Sequence, residues 1–276
     1  MTGFARLRNW FGQRIIMIIG ILVLIYMFIP IFVVVAMSFN IPPSRNVYQF
    51  GSFTWDNWAH PCGAEGMCGS LKTSIEIGLL ATIIATILGT LMAFALVRHQ
   101  FYGRSTTNMF IFLPMASPEI VMGSSLLALF VAAGFAGQLG FWTILIAHIM
   151  FCLSFVVVTV KARLSGMDSR LEQAAMDLYA TEWQTFRLVT LPLVFPGILG
   201  AALLSFSLSF DDFIITNLNA GTTTTFPIFV WSSAQRQIPM QINVVGTVMF
   251  LIALLIVLGA EANRRRTERL NRPTAA

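Results

Sequence analysis

The feature that most limits this chain is a succession of uninterrupted apolar blocks. A helix rises about 1.5 Å per residue and the hydrocarbon core of a bilayer is about 30 Å thick, so about 20 apolar residues cross it. The blocks run on without alternation, which selects helices over barrel strands. With 57% hydrophobic and 11% charged residues and a mean hydropathy of +0.78, the chain has too little charge to cover a soluble domain of its length. The expected fold class is all-α, a single polytopic membrane domain over residues 1–276. Six spans are read near residues 15–37, 72–97, 107–133, 140–161, 193–213 and 242–262. A cleaved signal peptide competes for the first block, but its apolar region would be shorter, and no clear small-residue cleavage site follows. An uncleaved anchor is the reading taken.

Charge orients the bundle. With the N-terminus cytoplasmic, Arg6, Arg8, Arg14, Arg98, Arg104, Lys161, Arg163, Arg170, Arg187, Arg264, Arg265, Arg266, Arg269 and Arg272 face the cytoplasm. Arg45, Lys72 and Arg236 lie at or beyond the outer face, giving 14 against 3 of the 17 basic residues. This positive-inside bias puts both termini in the cytoplasm. The net charge of +5 then needs no nucleic acid, because the Arg264–Arg266 cluster serves as a topology anchor on anionic lipid. Cys62 and Cys68 share the first outer loop, residues 38–71, where oxidation is allowed; a disulfide and two free thiols are both open readings. Two cysteines make a poor metal site, and Cys152, inside the fourth span, reads as packing. Trp55 and Trp58 in the same loop suit the membrane interface. In the last outer loop, residues 214–241, Pro227–Trp231 is too short to span and reads as a re-entrant or surface helix.

The loop 162–192 is the longest on the cytoplasmic side. Leu171, Ala174, Ala175 and Leu178 fall on one helical stripe, with Glu172, Gln173 and Asp177 off it. The two alanines keep the helix slim, so a partner backbone can approach. Such a helix, tied to spans at both ends, suits the groove of another protein, and equally the lipid surface. No Gly-x-x-x-x-Gly-Lys-Ser/Thr occurs, so the chain has no phosphate-cradling loop of its own.

This loop resembles that of the permease subunits of bacterial ABC importers, which carry a Glu-Ala-Ala segment, a glycine four residues on, and then Ile-x-Leu-Pro. Gln173-Ala174-Ala175, Tyr179 and Val189-Thr190-Leu191-Pro192 stand at those places. The resemblance implies that the segment forms a coupling helix seated in a cleft of a separate ATPase, which binds ATP and Mg; this chain holds no cofactor and is not an enzyme. Two residues depart from the pattern. Gln173 replaces the motif's Glu, and Glu172 beside it points about 100° away. Tyr179 replaces the glycine, where a bulky residue at positive φ is strained or takes another turn.

Ionisable residues inside spans are functional candidates. Glu119, just after Pro118, lies about 18 Å into the third span. Asp211 and Asp212 lie near the outer end of the fifth span, Glu76 near the outer end of the second, and His148 at mid-depth in the fourth, where it reads as packing. The four acids form a candidate negative lining for a cation; interfacial solvation is the plainer reading for Glu76, Asp211 and Asp212. Ser117-Pro118-Glu119 and Ser209-Phe-Asp-Asp-Phe213, with Thr222–Pro227, resemble the spermidine/putrescine permeases. That resemblance implies a polyamine substrate, a second, related permease chain, a soluble solute-binding protein and an inner-membrane location. The alternatives are an ion-coupled secondary transporter and an ABC permease for another small solute. An intramembrane hydrolase is disfavoured by the lack of Gly-x-Ser-x-Gly and His-x-x-x-His.

Overall fold

A computed structural model describes residues 3–44, 48–236 and 238–270. Arg45 and Arg272 of the charge argument lie outside the described residues, as do the side chains of Arg6, Arg8, Arg264, Arg265, Arg266 and Arg269. In chain order the helices are α1 (Gly3–Ser38), α2 (Asp56–Ala59), α3 (Met67–Arg98), α4 (Arg104–Ala116), α5 (Glu119–Ala132) and α6 (Phe141–Ser165). They continue as α7 (Arg170–Asp177), α8 (Glu182–Thr185), α9 (Leu191–Asp211), α10 (Ile214–Asn219), α11 (Phe226–Ala234) and α12 (Gln241–Leu270). A π-helical turn, Phe186–Thr190, joins α8 to α9. The described strands are Asn40–Ile41 and Ser52–Phe53, paired antiparallel.

The chain divides into two compact units, residues 1–65 with 233–276, and residues 66–232. In the first, α1 packs on α12, with Phe28 edge-on to Phe250. None of the most apolar stretch of α1 is buried, as expected of a helix that is apolar on every side and faces lipid or another chain. Beyond α1, the buried Asn40 ties the loop together: its Nδ2 donates to the Gln49 carbonyl (2.8 Å) and its Oδ1 accepts from Gly51 N–H (2.8 Å). Phe39 stacks on Phe53 and Trp58, while Trp55 meets it edge-on and stays exposed. Tyr48 Oη donates to Asn243 Oδ1 (2.9 Å); burial pushes this phenol above its usual pKa, with the hydrogen bond pulling the other way.

The second unit is built on α3, α6 and α9, which pack on one another. α6 is its central helix: 61% of its most apolar stretch is buried, against 33% for α3. The buried stripe of α3 runs through Ala81, Ala85, Gly89 and Ala93, one small residue per turn. Small residues let helix backbones approach closely in lipid. At Gly89 the approach is closest, since a Cβ there would lie 2.6 Å from Val156 Cγ1 of α6.

The third expected span, 107–133, is not one helix. α4 and α5 meet at a bend of 108°. The cause is local: a proline disfavours helical backbone in the residue before it. Ser117 is accordingly extended (ψ 139°) and Pro118 opens α5. The fifth span reaches further back than expected, because α8, the π turn and α9 run on from Glu182 to Asp211. Pro192 has no N–H to close an α-turn, and Leu191 N–H reaches back five residues to the Phe186 carbonyl. The short apolar stretch after the fifth span is α11, with Phe226 N–H donating to Ser74 Oγ of α3 (2.8 Å).

Candidate functional site

Two places gather the polar chemistry of the second unit. The first is the segment between α6 and α9. Asp168 Oδ1 accepts from Arg170 N–H (2.9 Å) where α7 begins. Glu172, in the first turn of α7, faces inward. Its Oε1 accepts from Arg98 Nη2 at the end of α3 (2.7 Å) and from Thr190 Oγ1 in the π turn (2.6 Å). One carboxylate thus joins α7 to two long helices, and with its side chain 16% exposed the ion pair is partly shielded from water.

The far end of α7 closes in a Schellman motif. Tyr179 N–H donates to the Met176 carbonyl (2.9 Å) and Ala180 N–H to the Ala175 carbonyl (3.1 Å). That geometry requires a left-handed residue, and Tyr179 supplies it at φ +65°, the one such non-glycine among the described residues. Of the two expectations for Tyr179, strain or a different turn, the structure takes strain. After the turn, Thr181 caps α8 in a reciprocal box with Gln184.

With Glu172 turned inward, the other face of α7 is bare. Leu171, Gln173, Ala174 and Asp177 are exposed and Ala175 is half-buried. Leu178 is 82%, Tyr179 97%, Trp183 67% and Leu188 71% exposed. Val189 and Leu191 are half-buried, and Pro192 is exposed. A contiguous run of chain thus carries large apolar side chains out of the fold, beside a pocket of about 530 Å³ lined by Phe94, Arg98, Glu172, Glu182 and Phe186.

The second place is the corner where α9 gives way to α10. The adjacent carboxylates Asp211 and Asp212 part company there. Asp211 is exposed, whereas Asp212 is buried. Asp212 Oδ2 accepts from Thr216 N–H and from Thr216 Oγ1 (both 2.7 Å), and it lies 3.4 Å from His148 Nε2. His148 is 2% exposed, with Nδ1 2.7 Å from Ser209 Oγ and Nε2 2.8 Å from Thr216 Oγ1. Glu119 opens α5 and is exposed; Glu76 is exposed with Lys72 Nζ 3.8 Å away. The sequence did not mark Arg98, Thr190, Ser209 and Thr216 as partners, although Thr190 and Ser209 lie inside the stretches Val189–Pro192 and Ser209–Phe213. The one local signal was Asp212-x-x-x-Thr216, a helix-start pairing; the others come from 18 to 74 residues away. Cys62 and Cys68 are disulfide-bonded, and Cys152 is buried and free, its Sγ 3.4 Å from the Ser205 carbonyl.

Residues 85–264 match the family described as the binding-protein-dependent transport system inner membrane component. The chain is 35% identical over 242 residues to the spermidine/putrescine transport system permease protein PotC of Haemophilus influenzae, covering 87% of this chain and 93% of that one. It is 34% identical over 254 residues to the putrescine transport system permease protein PotI of Escherichia coli, covering 87% and 90%. A bacterial ABC transporter involved in the import of the acidic polysaccharide alginate shares the fold, with a TM-score of 0.65 over 92% of this chain and 97% of that chain, at 16% identity. A stack of apolar helices, an exposed helical segment between two of them and a family match over residues 85–264 lead to one conclusion: this chain belongs to the inner-membrane permease family of binding-protein-dependent transport systems.

Proposed function

We propose that this chain is one half of the translocation pore of an ATP-driven polyamine importer. The observation that carries the reading is the 35% identity, across nearly the whole chain, to a spermidine/putrescine permease. Both termini then face the cytoplasm, a reading the 14-to-3 split of basic residues supports. The bare face of α7, with Leu171, Gln173, Ala174, Ala175, Leu178 and Tyr179, seats in a cleft of a partner ATPase that binds ATP and Mg. A second, related permease chain completes the pore, and a soluble binding protein delivers the solute. Closure of the ATPases draws the coupling segments together. Glu172 passes that movement to α3 through Arg98 and to α9 through Thr190, Leu191 and Pro192. An ion pair that is also hydrogen-bonded is a stiff link, whereas apolar contacts can slide.

The exposed carboxylates Glu119 and Asp211, with Glu76 nearer the mouth, offer the negative lining that a flexible polycation needs. Asp212, already satisfied by His148 and Thr216, shapes that lining from behind. The test is uptake of radiolabelled spermidine and putrescine into vesicles holding the complete complex with binding protein. ATP-dependent accumulation is expected. Uptake that needs no ATP and collapses with the proton gradient would establish an ion-coupled carrier instead.

A further inference from the structure

The buried cluster around His148 has a direction. Thr216 Oγ1 has one proton, and it lies on Asp212 Oδ2, 2.7 Å away. The Thr216 oxygen is therefore the acceptor from His148 Nε2–H (2.8 Å). In the singly protonated ring with its proton on Nε2, Nδ1 is left as an acceptor for Ser209 Oγ–H (2.7 Å). The relay runs Ser209, His148, Thr216, Asp212, with every proton used once, and it links α9, α6 and α10.

Each end of this relay bears on an exposed carboxylate. Asp211 follows Ser209 by two residues, about 200° round the helix. Holding Ser209 inward therefore turns Asp211 outward, and Asp211 is exposed. At the other end, Asp212 and Thr216 set the first turn of α10, which packs on α5 at Gly123. A Cβ on Gly123 would lie 3.2 Å from Ile215 Cα, and Asn219 Nδ2 donates to the Gly123 carbonyl (3.2 Å). Gly123 is one turn from Glu119, so α10 fixes where the first turn of α5 sits. Burying a carboxylate and an imidazole is more costly than apolar packing of the same volume. What such a cluster adds is a single allowed register among the helices that share it.

We propose that His148 is a positioning residue which sets the separation of Glu119 and Asp211, and through it the length of polycation the pore favours. The inference rests on the polyamine reading above. Its test is the KM and kcat for ATP-driven uptake of putrescine and of spermidine by the complete transporter in vesicles. His148→Leu removes the relay. It is expected to raise KM for the longer amine about tenfold more than for the shorter, an affinity-type change, with kcat changed less than about threefold. His148→Gln presents an N–H towards Thr216 and a carbonyl towards Ser209, and is expected to restore the wild-type KM ratio. Ser209→Ala removes one donor with little change in packing, so it keeps the question open to refutation should His148→Leu fail to assemble; it is expected to move the ratio in the same direction. An unchanged KM ratio in assembled His148→Leu and Ser209→Ala, or a fall in kcat alone, overturns the positioning role. Absence of uptake by the wild-type complex overturns the polyamine reading instead.

Discussion

Neighbouring residues in this chain do opposite work, and no local rule says which does which. Glu172 and Gln173 differ by one step along α7, yet Glu172 turns inward to Arg98 and Thr190 while Gln173 stays exposed. Asp211 and Asp212 divide in the same way at the end of α9. Glu172→Gln keeps the shape of the side chain but loses the charge. A partly exposed ion pair is worth about 1 kcal/mol, so the variant is expected to assemble and bind its ATPase. Transport is expected to fall several-fold while ATP hydrolysis persists, and measuring both on one preparation checks this. Tyr179 holds a left-handed backbone at a cost of about 1 kcal/mol. Tyr179→Gly is expected to leave the melting temperature in detergent no lower than wild type. The β-branched Tyr179→Val, for which that conformation is harder still, is expected to lower it.

At the scale of elements, the apolar blocks were legible because their length and continuity depend on composition alone. The helical segment between α6 and α9 was legible because its stripe repeats locally at Leu171, Ala174, Ala175 and Leu178. The break at Ser117-Pro118 could be read only as a kink, since a proline says that a helix bends without saying by how much. The π turn at Phe186–Thr190 left no periodic trace, and the cluster of His148, Ser209, Thr216 and Asp212 was hidden because tertiary folding alone joins α6, α9 and α10. The same limit hid the close crossing of α3 and α6, although the small residues were in plain view. A side chain at position 89 has no room against Val156. Gly89→Val is expected to cost about 1–3 kcal/mol through overpacking, read as a lower melting temperature and reduced yield. Gly200, with nothing within 4 Å of a Cβ, is the control: Gly200→Ala is expected to change neither.

For the whole molecule, the expected orientation and the proposed ATPase-binding face of α7 are checked together. Leu178→Cys, at a side chain 82% exposed, is expected to react with a membrane-impermeant maleimide in inverted vesicles and not in intact cells. Adding the proposed partner ATPase is expected to protect it, and reaction in intact cells would reverse the topology. Leu178→Glu is expected to abolish co-purification of the ATPase with the permease still inserted. The corner between α4 and α5 carries a consequence for the medium around it. The 108° turn between α4 and α5 breaks the ladder of backbone bonds, and the amides of Glu119 and Ile120 precede the first closed turn of α5. Oil offers such groups no acceptor. That elbow therefore belongs beside moisture or protein, not bare lipid tails.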